Sequence, residues 1–201
     1  DGGYELSVSV PQLEGLLDPE LEAELNQEFR SQADAVKAAF ESDMKDLKAE
    51  FGEDTVHYGV RCDYEVKTDT QDILAIDNYL YSVVGSSSTV HSFYTIDKRT
   101  GQLLTLEGLF QEGSDYVGVL SAYIRGEMER LNQEEGGMFW LGEDSIDGFE
   151  EIAPDQNFYL DEDNRLVICF DKYEVAAGAQ GSPEFVIPYE VIADIAAYDL
   201  L

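Results

Sequence analysis

One long amphipathic helix is the feature that most constrains how this chain can fold. Asp18-Pro19-Glu20 forms a helix start, because Asp18 can accept hydrogen bonds from free amides and Pro19 suits the first helical position. Apolar residues then recur every three or four positions, at Leu21, Leu25, Phe29, Ala33, Val36, Phe40, Met44, Leu47 and Phe51. Gly52 is a typical helix stop. The predicted helix 19–51 spans about 50 Å. Its stripe is poor in Leu and rich in Phe and Ala, so we expect it to pack across a sheet.

Alternating apolar residues predict β-strands on both sides of this helix. Tyr4–Val10 is a half-buried strand that ends at Pro11. In Val56–Val66, one side of the strand is predicted to face the core: Val56, Tyr58, Val60, Cys62, Tyr64 and Val66. Ile73–Val84 is apolar on both sides, which is typical of a central strand, and Gly85-Ser86-Ser87-Ser88 is predicted to be a flexible link.

Shorter elements follow, and together they indicate the fold class. We predict strands at Val90–Ile96 and Leu103–Leu106, joined by the hairpin loop 97–101, and a helix capped by Ser114 that runs to Leu131. A hairpin at 158–170, a short strand at Glu184–Ile187 and a final helix after Pro188 complete the chain. This order predicts an α+β fold, with an antiparallel sheet packed by one long N-terminal helix and shorter C-terminal helices. The length of 201 residues suits one large domain or two small interlocked ones.

The charge of the chain restricts its partners. Twelve basic and 43 acidic residues among 201 give a net charge of −31. That charge argues against binding to nucleic acid or to an anionic membrane surface. It either keeps a monomer soluble or attracts a cationic partner.

Neither a membrane span nor a metal site is evident in the sequence. No run of about 18 apolar residues occurs. Since the sequence begins at Asp1-Gly2-Gly3 without Met, we expect a segment whose upstream part, with or without a membrane helix, has been removed. Cys62 and Cys169 form no metal-binding pattern, and are either buried free thiols or a single disulfide.

The residues also give little support for catalysis. Only His57 and His91 are available, and no Ser or Cys motif surrounds either. We expect His57 on the surface and His91 in a structural role, bonded to a turn, with a ligand role as the alternative. The acidic stretch 161–164 lacks the spacing of an EF-hand, and we predict that it is a solvated hairpin tip. We therefore predict no catalytic residue, no metal and no cofactor.

Four ordered stretches resemble a known family. They are Pro11–Asn26; His91 with Asp97, Thr100-Gly101, Leu104-Thr105-Leu106 and Leu109-Phe110; Asn157–Tyr159 with Leu166–Ala176; and Gly181–Tyr189. In this order they resemble the extracellular domain of RsiV-type anti-sigma factors and of PdaC-type peptidoglycan deacetylases. The chain departs from that pattern at Ser86–Thr89, which replaces a Gly-rich approach to His91, and it lacks the deacetylase Asp/His motifs.

The resemblance implies a two-part domain, with an N-terminal half that contains the long helix (1–70) and a C-terminal half that completes the sheet (71–201), in one integrated unit. It also implies binding rather than catalysis. In RsiV-type proteins such a domain lies outside the membrane and binds lysozyme, which makes the anchored anti-sigma factor a substrate for signalling proteolysis. We therefore expect a non-catalytic extracellular sensor, membrane-anchored in the full-length protein, whose partner is a basic protein such as lysozyme. The alternatives are an accessory cell-wall-binding domain of a peptidoglycan-modifying enzyme and, third, a hydrolase with an unrecognised acidic site.

The loop Tyr173–Pro183 is the candidate contact surface. It joins two predicted strands, and recognition tends to lie on loops held by a rigid sheet. A tyrosine anchor ringed by acidic groups suits a basic partner, although a plain connecting loop is the alternative. We assign partner binding to Tyr173, Glu174, Val175, Ala176, Gly178 and Gly181, and structural roles to His91, Asp97 and Gly101. Phe139-Trp140 is a second candidate, or else part of the core.

Overall fold

The computed structural model describes residues 3–52, 57–142 and 148–201, and it confirms an α+β fold. Five strands form one sheet and three form another. The helices are α1 (Pro19–Phe51), α2 (Tyr116–Glu134) and α3 (Tyr189–Ile192). The strands are β1 (Gly3–Val8), β2 (His57–Asp69), β3 (Ile73–Val84), β4 (Ser86–Asp97), β5 (Gln102–Leu103), β6 (Phe158–Leu160), β7 (Leu166–Cys169) and β8 (Glu184–Ile187).

The long helix begins and ends where the sequence predicts. The Asp18 carboxylate accepts hydrogen bonds from the amides of Glu20 (2.9 Å) and Leu21 (3.2 Å). Gly52 ends α1 with a φ of 87°, which favours glycine. Leu25, Phe29, Ala33 and Phe40 are buried against the larger sheet. The helix is thus a sheet-packing element, as predicted.

The larger sheet has the order β1-β2-β3-β4-β5, so β3 is central, as predicted. Its one departure from the predicted antiparallel sheet is β1, which pairs parallel with β2. A parallel pair needs a long crossover, and α1 is that crossover.

Helix α1 crosses this sheet diagonally, which corrects the predicted core face of β2. Near its start, Leu25 and Phe29 pack on Ile76, Tyr94 and Ile96 of β3 and β4. Near its end, Phe40 packs on Tyr58 and Val60 of β2. Helix α1 therefore does not cover the C-terminal part of β2, and Tyr64 and Val66 there are exposed. Val56 lies outside the described residues.

The smaller sheet, β6-β7-β8, packs against the other face of the larger one. A β-bulge between Val66 and Thr68 shifts the register of β2, and the Thr68 hydroxyl donates to the Leu160 carbonyl (2.7 Å). All of β7 is buried. Leu120, Ile124 and Met128 of α2 belong to the same hydrophobic core as β6–β8.

Several boundaries differ from prediction. Ser86–Ser88 are not a flexible link, because Gly85 (φ 72°) makes a tight turn and these serines already pair in β4. Asp115, not Ser114, caps α2 by accepting from the Gly118 amide (3.0 Å). The return strand β5 and the final helix α3 are shorter than predicted. The division at residue 70 stays a prediction, since β2 and β3 are neighbours in one sheet.

Both cysteines are free and buried, Cys62 in the larger sheet and Cys169 in the smaller. Across residues 3–52, 57–142 and 148–201, no helix is long and apolar enough to cross a bilayer.

Candidate binding surface

A tight turn after β7 presents Tyr173 to solvent. The Glu174 amide donates to the Asp171 carbonyl (3.1 Å), which closes the turn. Tyr173 adopts a φ of 72° and its residue surface is 43% exposed. A non-glycine residue in this left-handed region costs about 1–3 kcal/mol and persists only where its surroundings hold it.

The Tyr173 ring is held by two neighbours. It lies over Gly178, where an added Cβ would stand 2.3 Å from a ring carbon, so only glycine permits this contact. The Lys172 ammonium lies 5.1 Å from the ring centroid and also donates to the Ser87 hydroxyl (2.8 Å). The turn therefore lies beside the first residues of β4.

Three of the predicted contact residues, Glu174, Val175 and Ala176, connect this turn to the protein interior. Both carboxylate oxygens of Glu174 have partners inside the chain, the Gln156 amide group (3.0 Å) and the Asp171 amide (2.6 Å). Val175 and Ala176 are 4% and 2% exposed, so the prediction that they touch a partner is corrected. Their backbones pair with Trp140 and Phe139, which anchors the loop in the core.

The sequence predicts a tyrosine ringed by acidic groups, and the charges beside Tyr173 differ from that prediction. The Lys172 ammonium lies over the Tyr173 ring, and the carboxylates of Asp171 and Glu174 accept hydrogen bonds from the chain itself. Attraction of a basic partner would thus come from the charge of the whole molecule, while the turn offers an aromatic contact.

The outer edge of β4 continues this surface. Its pairing with β5 involves only Ile96 and Asp97, so residues 86–94 have no strand neighbour on that side within the described chain. Ser87 of this edge accepts a hydrogen bond from Lys172 (2.8 Å), whereas the half-exposed side chain of Val90 lies on the α1 face of the sheet. An unpaired edge offers backbone donors and acceptors to a partner. We call Tyr173, Gly178 and the edge Ser86–Val90 the contact surface.

His91 lies at the inner end of this edge. Its Nδ1 is 2.8 Å from Asp77 Oδ2, and its Nε2 is 3.0 Å from Ser182 Oγ. Its backbone amide donates to Asp171 Oδ1 (2.8 Å), and its carbonyl accepts from the Asn157 side chain (2.9 Å). These partners lie 14 to 91 positions away in sequence, so no local motif announces them.

The order Asp77–His91–Ser182 is that of a hydrolase triad, but the backbone of His91 also holds Asp171 and Asn157, which gives the residue a structural role. Burial alone would lower the pKa of His91, and the Asp77 carboxylate, with Asp171 and Glu184, outweighs it and raises that pKa above 6.5. His91 thus links β3, the turn after β7 and the far end of the loop at Ser182. We assign the array to structure.

Asp97 and Gly101 organise the β4–β5 hairpin. Asp97, 1% exposed, accepts hydrogen bonds from the Arg99 amide (2.8 Å) and the Tyr198 hydroxyl (2.6 Å). Gly101 has a φ of 75°, and an added Cβ would lie 2.9 Å from the Asp18 amide nitrogen. The hairpin therefore abuts the start of α1, and the structural roles of Asp97 and Gly101 stay a prediction.

The other candidates lie elsewhere. Phe139 is buried in the core and Trp140 is half-buried beside it. At the 161–164 tip, Asp161 accepts from the Arg165 side chain (2.7 Å), and His57 is exposed. Among the described residues, no three His, Cys, Asp or Glu side chains are grouped so as to hold a metal ion.

Comparison with known proteins points to one kind of domain. The family model "Deacetylase PdaC" matches residues 2–87, and "Protein of unknown function (DUF3298)" matches residues 107–190. The chain is 36% identical over 192 residues to the anti-sigma-V factor RsiV of Bacillus subtilis (strain 168). That alignment covers 94% of this chain and 65% of RsiV, so the chain spans about two thirds of that relative.

Two crystal structures of DUF3298 proteins share the fold. One, from Bacteroides fragilis, has a TM-score of 0.59 and 16% identity, and the match covers 88% of this chain and 70% of that one. The other, from Pseudomonas aeruginosa, has a TM-score of 0.53 and 16% identity, with coverages of 78% and 69%. Together these matches confirm the resemblance drawn from the sequence.

Proposed function

Because the chain is an RsiV-like domain, we propose that it is a non-catalytic extracellular sensor that binds a basic protein such as lysozyme. The contact surface around Tyr173 is the proposed site, and the monomeric domain is membrane-anchored in the full-length protein. The similarity to an anti-sigma factor along 94% of the chain supports a signalling role.

The observation that carries the proposal is the conformation of Tyr173. An exposed aromatic ring on a strained backbone, supported by Gly178 and Lys172, is unfavourable for the isolated domain. Such a ring suits a partner's pocket, because it is already held in one position and loses little freedom on binding. Tyrosine is also among the residues that most often dominate binding energy.

The net charge supports the choice of a basic partner. At −31, the domain attracts a cationic protein over roughly a Debye length, about 8–10 Å at physiological salt. This attraction accelerates association but is not specific, so affinity that survives salt must come from the contact surface.

Titration calorimetry with lysozyme, at low and physiological salt, tests the proposal. We expect 1:1 binding that persists at physiological salt, and at least a tenfold loss of affinity for Tyr173→Ala through faster dissociation. Tyr173→Gly should lose affinity similarly while relieving the backbone strain. Tyr189→Ala removes a tyrosine on α3 that is somewhat more exposed than Tyr173 and serves as the control.

Two results would contradict the proposal. Binding that vanishes at physiological salt would leave only nonspecific attraction by the acidic surface. Unchanged affinity in Tyr173→Ala would remove the turn from the contact.

An accessory cell-wall-binding role is the second candidate, favoured by the match of residues 2–87 to the PdaC model. Co-sedimentation with purified peptidoglycan separates the two functions. Retention on peptidoglycan without lysozyme affinity would favour the accessory role.

A further inference from the structure

We propose that His91 is a positioning residue for the turn that carries Tyr173, and that it makes partner binding depend on pH. The pH dependence of binding rests on the proposed function. The positioning of the turn does not, and it can be measured without a partner.

His91 holds both ends of the candidate loop. Asp171, at the first position of the Tyr173 turn, accepts a hydrogen bond from the His91 amide (2.8 Å). Ser182, at the far end of the loop, contacts His91 Nε2 (3.0 Å). One residue of β4 thus fixes the two points from which the loop leaves and returns.

Asp77 of β3 fixes His91 in turn. The Asp77 carboxylate is 3% exposed, with one oxygen bonded to His91 Nδ1 (2.8 Å) and no partner for the other among the described residues. A buried carboxylate without a full set of partners is costly unless a cation lies beside it. Protonated His91 is that cation.

The charged groups that face His91 come from three elements. They are Asp77 on β3, Asp171 after β7 and Glu184 on β8. Lys67 forms an ion pair with Glu184 (2.9 Å), which leaves Asp77 and Asp171 as the carboxylates that depend on His91. Burial raises the pKa of Asp171 and the contact with His91 opposes that shift.

The sign of the pH effect follows from these neighbours. Burial lowers the pKa of His91, but the Asp77 carboxylate, then Asp171 and Glu184, raises it above 6.5 overall. A raised pKa means that the contribution is complete below about pH 6.5 and is lost as pH rises through the raised value. When His91 becomes neutral, Asp77 and Asp171 repel each other without a cation between them, and the loop loosens.

The first experiment follows the loop alone. NMR titration of the His91 ring gives its pKa, and amide hydrogen exchange of residues 172–181 reports loop opening, with the 161–165 hairpin as internal reference. We expect a His91 pKa above 6.5 that falls in Asp77→Asn. We also expect a several-fold loss of loop protection, relative to the reference, between about pH 6 and 8.5. His91→Gln should remove this pH dependence, and His57→Gln, at the other and exposed histidine, should keep it.

The second experiment measures lysozyme affinity over the same pH range at fixed ionic strength. Affinity should fall as pH rises, because fewer molecules have the loop held in place. The fall is at most about tenfold for each unit by which the pKa of His91 differs between free and bound protein. Wild type and His57→Gln should show the same fall in affinity with rising pH. His91→Gln should not show it.

The outcomes separate the two proposals. A His91 pKa at or below 6.5, or loop protection that is the same in wild type and His91→Gln, would overturn the positioning role. Normal loop behaviour without lysozyme affinity would overturn only the proposed partner. If His91→Gln fails to fold, Asp77→Asn replaces it: the loss of loop protection should then begin at a lower pH than in wild type, and an unchanged pH profile would overturn the positioning role.

Discussion

At the scale of single residues, Asp97 connects three parts of the chain. Burial alone would raise its pKa, but hydrogen bonds from Arg99 and Tyr198 outweigh burial and lower the pKa of Asp97 to about 2. Arg99 also forms an ion pair with Asp199 (2.8 Å). The hairpin after β4 is thereby tied to the last residues of the chain.

This carboxylate should stabilise the fold in a defined pH window. A pKa lowered from 3.8 to about 2 gives stability that is complete above pH 4 and is lost as pH falls toward 2. The shift corresponds to about 2 kcal/mol. We expect Asp97→Asn to lose at least about that free energy of unfolding at pH 7, and to lose less than wild type on acidification. Urea unfolding measures both, with exposed Asp163→Asn as the control; equal acid sensitivity of Asp97→Asn and wild type would contradict the assignment.

The role of a single residue can be predicted from the sequence only when its partners are close to it in the chain. Asp97 and Gly101 share one hairpin, and their structural roles follow from turn chemistry. The partners of His91 could not be predicted, because Asp77 and Ser182 reach it only through the pairing of β3 with β4 and the packing of the second sheet. Val175 and Ala176 show the opposite error, since a small-residue loop was taken as exposed and is buried.

At the scale of elements, each long helix holds a loop through one asparagine. Asn26 of α1 accepts from the Leu13 amide (2.7 Å) and donates to the Leu13 carbonyl (2.9 Å). Asn132 of α2 makes the same pair of bonds with Phe139, at 2.9 and 3.0 Å. Only a side chain with both a donor and an acceptor satisfies both backbone groups.

We therefore expect Asn26→Asp to be more damaging than its size suggests. The new carboxylate keeps the acceptor but faces the Leu13 carbonyl without a donor, at a cost of about 2–3 kcal/mol. Thermal or urea unfolding of Asn26→Asp and Asn132→Asp should show similar losses, with exposed Gln27→Glu as a charge-matched control. A loss in the control as large as in Asn26→Asp would attribute the effect to charge rather than to the bond.

The helix α1 and the strand β2 show what a sequence pattern can and cannot predict about an element. Both ends of α1 follow from capping chemistry within a few residues and were predicted correctly. The facing of Tyr64 and Val66 was predicted wrongly, because alternation gives two sides to a strand but not the part of it that a diagonal helix covers.

At the scale of the whole molecule, the charge of −31 must be tolerated by the folded state. Like charges repel more strongly in the compact chain than in the unfolded one. Screening should therefore stabilise the domain, and we expect the Tm to rise by about 2–4 °C or more from about 10 mM to 500 mM NaCl. Scanning calorimetry measures this, and a flat or falling Tm would contradict it.

The parallel pairing of β1 has a practical consequence. Gly3 aligns with His57, and Tyr58 with Val84, so the chain enters the sheet at the end where Gly85 leads into β4. Gly3 is thus three strand spacings, about 14 Å, from the start of β4. A Cβ added at Gly3 meets no atom within 4 Å. Burial raises the pKa of both native thiols, Cys62 and Cys169. A cysteine introduced at Gly3 would therefore be labelled selectively by a thiol-reactive dye, within energy-transfer distance of a partner on the contact surface.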